Sequence, residues 1–432
     1  MKKAYLLASL FLLFSLAIAF WSEHNTPQPQ SSFPSLLGEE EVCTTCHNDI
    51  TPISNAHPQE VFGCVRCHGG ERLALDATLA HKTLFGGSNP SALDVAEKSC
   101  GGAQCHSGET EQQRDHIPRV LKSIQVSYAG AIAQLRFAYG AQKSLAAQQG
   151  ILAIQDDHIH TTSGKAALTA FTPDEDNLPA LFQFAKKCLN CHITAQPIQA
   201  ESFQRMTGCA SCHTPRSPIE TQNLTSLPAA SLLNNKQNPE QRQFFHKLTT
   251  AIPYSQCNTC HNRGNYNMAD MQFYPRQDQP QDRLQDYYQP ISQFVRCEWT
   301  LDCIDCHTRT EVMGDGDIQT HKKDIQYIQC QTCHGTKTTS PREHVIRDEN
   351  DLALRLSFLN PVINLKVSDV ILETSKGEPL WNIRQIEQEK YEMIGKVTQQ
   401  RYILPLVKGS DCLQKDEEQE SRYCHQCHAV QR

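Results

Sequence analysis

The chain opens with Met1-Lys2-Lys3 and an apolar run from Ala4 to Phe20. A positive start, an apolar stretch and the A-x-A site Ala17-Ile18-Ala19 read as an export signal, residues 1–19. The competing reading is an uncleaved anchor with Phe20-Trp21 at a membrane interface. Residues 20–42, rich in Pro, Gln and Ser between Asn25 and Ser35, read as a flexible lead-in. Helical periodicity is clearest where Leu121, Ile124, Tyr128, Ile132, Leu135 and Tyr139 recur at steps of three and four. This predicts a helix within a segment 111–186. Between 346 and 423 the pattern changes. Val367 to Leu372, Pro379 to Ile383, Tyr391 to Lys396 and Tyr402 to Leu406 predict short strands, with turns at Gly377 and Gly395. A small antiparallel lobe is expected there.

Elsewhere aliphatic periodicity is scarce. A chain of 432 residues this polar must bury something other than its own leucines. The formal charge of −7 and the lack of a Lys/Arg cluster argue against a nucleic-acid partner.

Cysteine usage supplies the missing core. C-x-x-C-H occurs eight times. The first four are Cys43, Cys46 and His47; Cys64, Cys67 and His68; Cys188, Cys191 and His192; and Cys209, Cys212 and His213. The rest are Cys257, Cys260 and His261; Cys303, Cys306 and His307; Cys330, Cys333 and His334; and Cys424, Cys427 and His428. A wider version, Cys100, Cys105 and His106, makes nine. Two thiols add across the vinyl groups of haem c, and the adjacent imidazole takes the proximal side of the iron. Zinc would want two separated ligand pairs, and a disulfide scaffold would not need the histidine. Of 20 cysteines only Cys297 and Cys412 are left over, a pair that suggests a disulfide in an exported chain.

Ten further histidines remain, and His24 lies in the lead-in. The other nine, His57, His81, His116, His158, His160, His246, His321, His344 and His425, match nine irons. Bis-imidazole ligation throughout is the expectation, which favours low potentials and leaves no open position. His425 stands inside its own motif and is expected to reach the iron of a neighbouring haem. His158 and His160, two residues apart, both ligate only if they point to different haems.

Two motifs 21 residues apart recur in VCTTCHNDITPIS…FGCVRCHGG and KCLNCHITAQPIQ…TGCASCHTP, with a looser copy in CIDCHTRTEVMGDG…IQCQTCHGT. The organisation expected is a three-haem segment 43–110, a haem-free helical segment 111–186, a five-haem segment 187–345, a β-containing lobe 346–423 and the ninth motif at 424–432. Asp315 and Asp317 alternate within Met313–Asp317 but lack a twelve-residue calcium loop, so a turn is expected. With about 46 residues of mature chain per haem, the haems must share walls.

The stretches CNTCHNRG (257–264), LDCIDCHTRTEVMGDG (301–316) and IQCQTCHGT (328–336) resemble large bacterial multihaem c-type cytochromes that exchange electrons with extracellular partners. CHGG at 67–70 and the terminal CHQCH fit the same group. The resemblance implies a mainly α fold with much irregular loop, wrapped on a closely packed haem chain. It implies a relay in the periplasm, at the outer membrane or outside the cell, with redox proteins, a porin or further copies as partners. The rival class is a multihaem oxidoreductase with one open haem acting on a small nitrogen or sulfur compound. No C-x-x-C-K, the mark of some such enzymes, is present.

Overall fold

The computed structural model describes residues 11–18, 21, 33–34, 40–48, 50, 52–87, 89–110, 113–155, 167–173, 178–189, 192–194, 198–200, 203–214, 246–257, 265–267, 272–274, 297, 300–358, 360, 363–413, 415 and 421–428. Most of residues 1–42, read above as an export signal and lead-in, lie outside them. No described helix is long and apolar enough to cross a membrane. The chain divides into two compact units, 1–90 with 233–247, and 91–232 with 248–432.

In the first unit, strands β1 (Phe33–Pro34) and β2 (Glu40–Glu41) pair antiparallel. A single 3-10 turn, Cys43–Thr45, carries the first motif. Helices α1 (Gln59–Phe62), α2 (Val65–His68) and α3 (Ala77–Ala80) are each one turn long. Such helices are marginal alone, so tertiary partners must hold them. Glu41, 3% exposed, does so for α2: its carboxylate accepts the Cys64 and Val65 amides, with a shortest contact of 2.7 Å.

The second unit begins with α4 (Ala96–Ser99). The helix expected around 121–139 is three pieces: α5 (His116–Lys122), α6 (Ile124–Ser127) and α7 (Ala129–Ala138). Ser123 leaves the helix at ψ 158°, and Tyr128 turns left-handed at φ 50°. The Ser123 hydroxyl instead donates to the Val120 carbonyl at 2.7 Å, satisfying an acceptor the break exposes. Strands β3 (Gln149–Gly150), β4 (Ile154–Gln155) and β5 (Ala167–Ala170) form a small sheet in the order β3-β5-β4. Helix α8 (Pro179–Gln183) and two hairpins follow: β6 (Ile198–Ala200) with β7 (Phe203–Arg205), and later β8 (Asn265–Asn267) with β9 (Gln272–Tyr274). Between and after these hairpins come α9 (Ala210–His213), α10 (Tyr254–Cys257), α11 (Cys303–Cys306), α12 (Arg309–Met313), α13 (Lys322–Ile325) and α14 (Cys330–His334).

The C-terminal lobe is a five-stranded antiparallel meander. Its strands are β10 (Glu343–Val345), β11 (Val370–Glu373), β12 (Pro379–Glu387), β13 (Lys390–Ile394) and β14 (Arg401–Leu404), with α15 (Leu352–Ser357) before β11. Leu372, Leu380, Ile383, Tyr391 and Met393 pack with Leu301 and Cys333. Ile346, Ala353, Ile363, Ile371 and Ile394 form a second cluster. Each fully buried Ile or Leu contributes about 1.5–3 kcal/mol. Both faces are covered, which is why the strands read as near-continuous apolar runs. Helix α16 (Ser421–His428) closes the chain.

The mainly α expectation is therefore corrected. The structure is about 34% helix and 14% strand, with a five-stranded sheet as its largest regular element. The helices are short because the motifs punctuate the chain, and the sheet supplies the packed core that such turns cannot.

Candidate haem-binding site

A helical turn places residues i, i+3 and i+4 along one edge. C-x-x-C-H thus sets two thiols and one imidazole on the same side. The turn closes as that geometry requires: the His47, His68, His213 and His307 amides donate to the carbonyls of Cys43, Cys64, Cys209 and Cys303 at 2.9–3.0 Å. In the wide motif the His106 amide donates to the Cys100 carbonyl at 3.1 Å. The two extra residues bulge while the ends keep the same closure. Gly69 and Gly335 end α2 and α14 immediately after the motif histidine, at φ 71° and 66°, which a Cβ would disfavour.

The second cysteines of the motifs differ in setting. Cys46 and Cys427 are exposed, Cys67, Cys105, Cys212 and Cys306 are half-buried, and Cys333 is buried. The Cys46, Cys67 and Cys212 amides donate to the Cys43, Cys64 and Cys209 carbonyls at 3.2 Å, so each stands one turn above its partner cysteine. Cys427 stands three residues after Cys424 on α16. None of these thiols is held in a disulfide, and each keeps the sulfur a thioether needs. Their motifs and the turn geometry put Cys46, Cys67, Cys212 and Cys427 in the positions that attachment would use.

An imidazole nitrogen lies about 2 Å from a bound metal and its ring centre about 1 Å further, so two rings sharing one iron from opposite sides sit about 6 Å apart. His47 and His81 have ring centres 5.9 Å apart. His68 and His246 lie at 6.3 Å with rings tilted by only 21°. His106 and His116 are tighter, at 5.0 Å. Each pair is one motif histidine and one of the nine unassigned histidines. Burial first, then the charges of His246 and His47, push the His68 imidazole down to about 4. Burial first, then Arg309, pushes His116 down to about 3. Both rings are neutral at pH 7 and keep a lone pair to offer.

The Nδ1 atoms of other motif histidines are engaged, which directs Nε2 outward as a metal ligand needs. His213 Nδ1 donates to the Thr249 carbonyl at 2.9 Å, and His334 Nδ1 to the Pro405 carbonyl at 2.7 Å. His192 Nδ1 meets the Thr194 hydroxyl at 2.5 Å. His307 Nδ1 meets a Glu311 carboxylate oxygen at 2.8 Å. Two unassigned histidines share the arrangement: His57 Nδ1 lies 2.9 Å from the Ser54 hydroxyl and His321 Nδ1 2.8 Å from that of Thr320.

His344 does not follow this pattern. It sits on β10 with Nε2 2.8 Å from Asp351 and Nδ1 3.6 Å from Glu373. Both nitrogens face carboxylates, and the ring ties β10 to the start of α15. Cys191, Cys260, His24, His158, His160 and His261 lie outside the described residues, as do the side chains of Cys188 and His425.

Neighbouring motifs touch. In the first unit the Cys43 and Cys64 sulfurs and a Glu41 oxygen lie within 4.8 Å of one another. Both thiols belong to attachment motifs and Glu41 already caps α2, so this cluster is not a separate metal site. Their partners Cys46 and Cys67 are not part of it. In the second unit Cys100 and Cys209 pack on one apolar cluster with Ile193. The Gln256 amide on α10 donates to the Ser211 carbonyl on α9. The Tyr254 amide donates to Asp302 at 2.7 Å, joining α10 to α11. Cys306 packs on the cluster that holds Cys333. The Cys330 amide donates to the Ser421 hydroxyl at 2.9 Å, joining α14 to α16. The β lobe clamps the seventh motif through the Lys396 amide, which donates to Asp305 at 2.7 Å. Asn382 adds a donor to the Asp305 carbonyl at 3.1 Å.

Residues 184–345 match the family described as outer membrane cytochrome MtrC/MtrF-like, domains II/IV. That segment is similar to this family and holds five motif starts, Cys188, Cys209, Cys257, Cys303 and Cys330. No curated protein and no solved structure matches the chain.

Cys297 and Cys412 are both thiols. The bridge suggested by their being left over is not formed. Alkylation of the denatured, unreduced holoprotein should therefore label two cysteines per chain, read by intact mass; no labelling would mean a disulfide.

Several supporting residues have little sequence signature. Asp305 and Lys396 meet only through the fold. Glu311 was readable in part: Thr308-x-x-Glu311 is a helix-start pattern, and Thr308 does accept the Glu311 amide at 3.3 Å. The carboxylate then turns to His307 instead of back to the cap.

Proposed function

We propose that the chain is an electron-transfer cytochrome with c-type haem on each of its nine motifs. The observation that carries this reading is the set of three imidazole pairs at 5.0–6.3 Å, each joining a motif histidine to a histidine from elsewhere in the chain. When bound, haem supplies a one-electron couple at each motif. The protein would hold the macrocycle by two thioethers at each motif, such as those of Cys43 with Cys46 and Cys64 with Cys67 in the first unit. It would offer motif and distal imidazoles as iron ligands, with ring orientation fixed through Nδ1. His81, His246 and His116 would be the second ligands to the irons of the first three motifs. His57, His321, His158, His160 and His425 are the distal ligands proposed for others.

The contacts between motifs support a relay whose order is not the sequence order. In the second unit they run from the third motif to the fifth, then through the sixth, seventh and eighth to the ninth, where Cys424 and Cys427 would hold the last haem. The similarity of residues 184–345 to outer-membrane cytochromes favours an exported protein exchanging electrons with redox proteins. A porin or further copies of the chain are the assemblies proposed. We propose that the chain is organised as the motif spacing suggests, with haem-bearing segments at 43–110 and 187–345 and a β-containing lobe at 346–423.

One observation favours a second reading. With His344 held by carboxylates, eight unassigned histidines remain for nine irons. An iron lacking a second imidazole would suit an oxidoreductase acting on a small nitrogen or sulfur compound.

The test is re-oxidation of the reduced holoprotein by hexaammineruthenium(III), a complex that cannot ligate an iron. The relay predicts complete re-oxidation at a rate unchanged by carbon monoxide. Slow re-oxidation by this complex, with rapid carbon-monoxide-sensitive oxidation by nitrite or hydroxylamine, would support the enzyme instead.

A further inference from the structure

Four motif histidines show which group accepts from or faces Nδ1, and the four groups are not equivalent. Thr249 and Pro405 offer backbone carbonyls and Thr194 a hydroxyl. His307 faces the carboxylate of Glu311, whose side chain is 3% exposed. That carboxylate is fixed from its other side. Its Oε1 accepts the Tyr327 and Ile328 amides, each at 2.7 Å, while Oε2 takes His307 Nδ1 at 2.8 Å. Three donors on one buried carboxylate hold it ionised and aimed at the ring.

A charge-assisted hydrogen bond is roughly twice as strong as a neutral one. An anionic acceptor draws the Nδ1 proton away from the ring and makes Nε2 a stronger donor to iron. A stronger donor stabilises ferric over ferrous iron. The buried Lys396 ammonium donates to the Ile304 carbonyl and lies over the Trp381 ring.

We infer that Glu311 lowers the reduction potential of the haem on the seventh motif, so that it is reduced after the haems of the fourth, fifth and eighth motifs. Reduction adds one electron to the iron, and the Nδ1 proton stays between His307 and Glu311. The seventh motif lies within the contact path, between the sixth and the eighth. Glu311 thereby places an energetic step inside the relay instead of at its end. This rests on the reading that Cys303 and Cys306 carry haem.

The experiment is a potentiometric titration of the holoprotein followed by electron paramagnetic resonance, on the wild type and Glu311→Gln. Replacing a charged acceptor with a neutral one is expected to favour reduction of one haem by roughly tenfold, an upward shift of about 59 mV for one electron. The remaining haems should not move. The wild type should also show one low-spin ferric species with the narrowed g-spread of an imidazole pushed toward imidazolate, and the variant should lose it. An unmoved set of potentials in a variant of full haem content overturns the inference. So does absence of the narrowed species from the wild type, a result that needs no variant to fold. Peptide mass mapping separates the two levels. A peptide with no haem on Cys303 and Cys306 sinks the underlying reading; a loaded peptide with unmoved potentials sinks only the role of Glu311.

Discussion

Replacing His116 by alanine should open one iron per chain to carbon monoxide. His116 faces His106 at 5.0 Å from the first turn of α5, and its neutral ring has no other iron to serve in this geometry. Removing it would leave the proposed third haem attached through Cys100 and Cys105 with one protein ligand fewer. The reduced variant should take up one haem equivalent more carbon monoxide than the wild type, with a matching high-spin ferric signal and unchanged haem mass. An unchanged uptake would mean that His116 is not a ligand. The same logic applies to His81 and His246, so the three variants form a series in which each opens a different iron.

The largest stability effect is expected at the residue just before His116. Asp115 lies between two arginines, with Arg119 at 2.8 Å and Arg309 at 3.0 Å. The Arg119 and Asp115 side chains are 5% and 9% exposed. Arg309 opens α12, two residues after His307, so this pair ties the support of the third motif to that of the seventh. Arg119 also donates to the Gly314 carbonyl at 2.9 Å. Asp115→Ala leaves two cations without their shared counter-charge in a dry site. Removing one partner of a buried pair costs about 3–5 kcal/mol. Denaturant unfolding of the holoprotein should show a loss of that order, while Arg342→Ala, which breaks a pair with an exposed arginine, should cost about 1 kcal/mol or less. Equal effects from the two variants would show that Asp115 is not a structural centre.

How much of this was readable in the chain differs by level. The attachment motifs were legible locally, because C-x-x-C-H needs only one helical turn to bring its three side chains to one edge. The strands between 367 and 406 were readable because covered apolar runs flanked by turn residues are also local. The pairing of imidazoles was not. His246 follows the fifth motif in sequence yet meets His68 of the second, and nothing but the fold brings them together. Counting histidines matched supply to demand but could not see that β10 and α15 would engage both nitrogens of His344. Helical periodicity over 121–139 was real, yet Ser123 and Tyr128 break it. The mainly α expectation failed because the strands between 367 and 406 were read as a small lobe, whereas with β10 they form a five-stranded sheet that packs against α11 and α14.

The central claim is that imidazole closes both faces of nearly every iron. The most direct test is a carbon monoxide titration of the fully reduced holoprotein, quantified per haem. With eight histidines left to serve nine irons, the account predicts uptake of no more than one haem equivalent per chain. Uptake by several haems would contradict it, and with it the reading of the paired histidines as axial ligands.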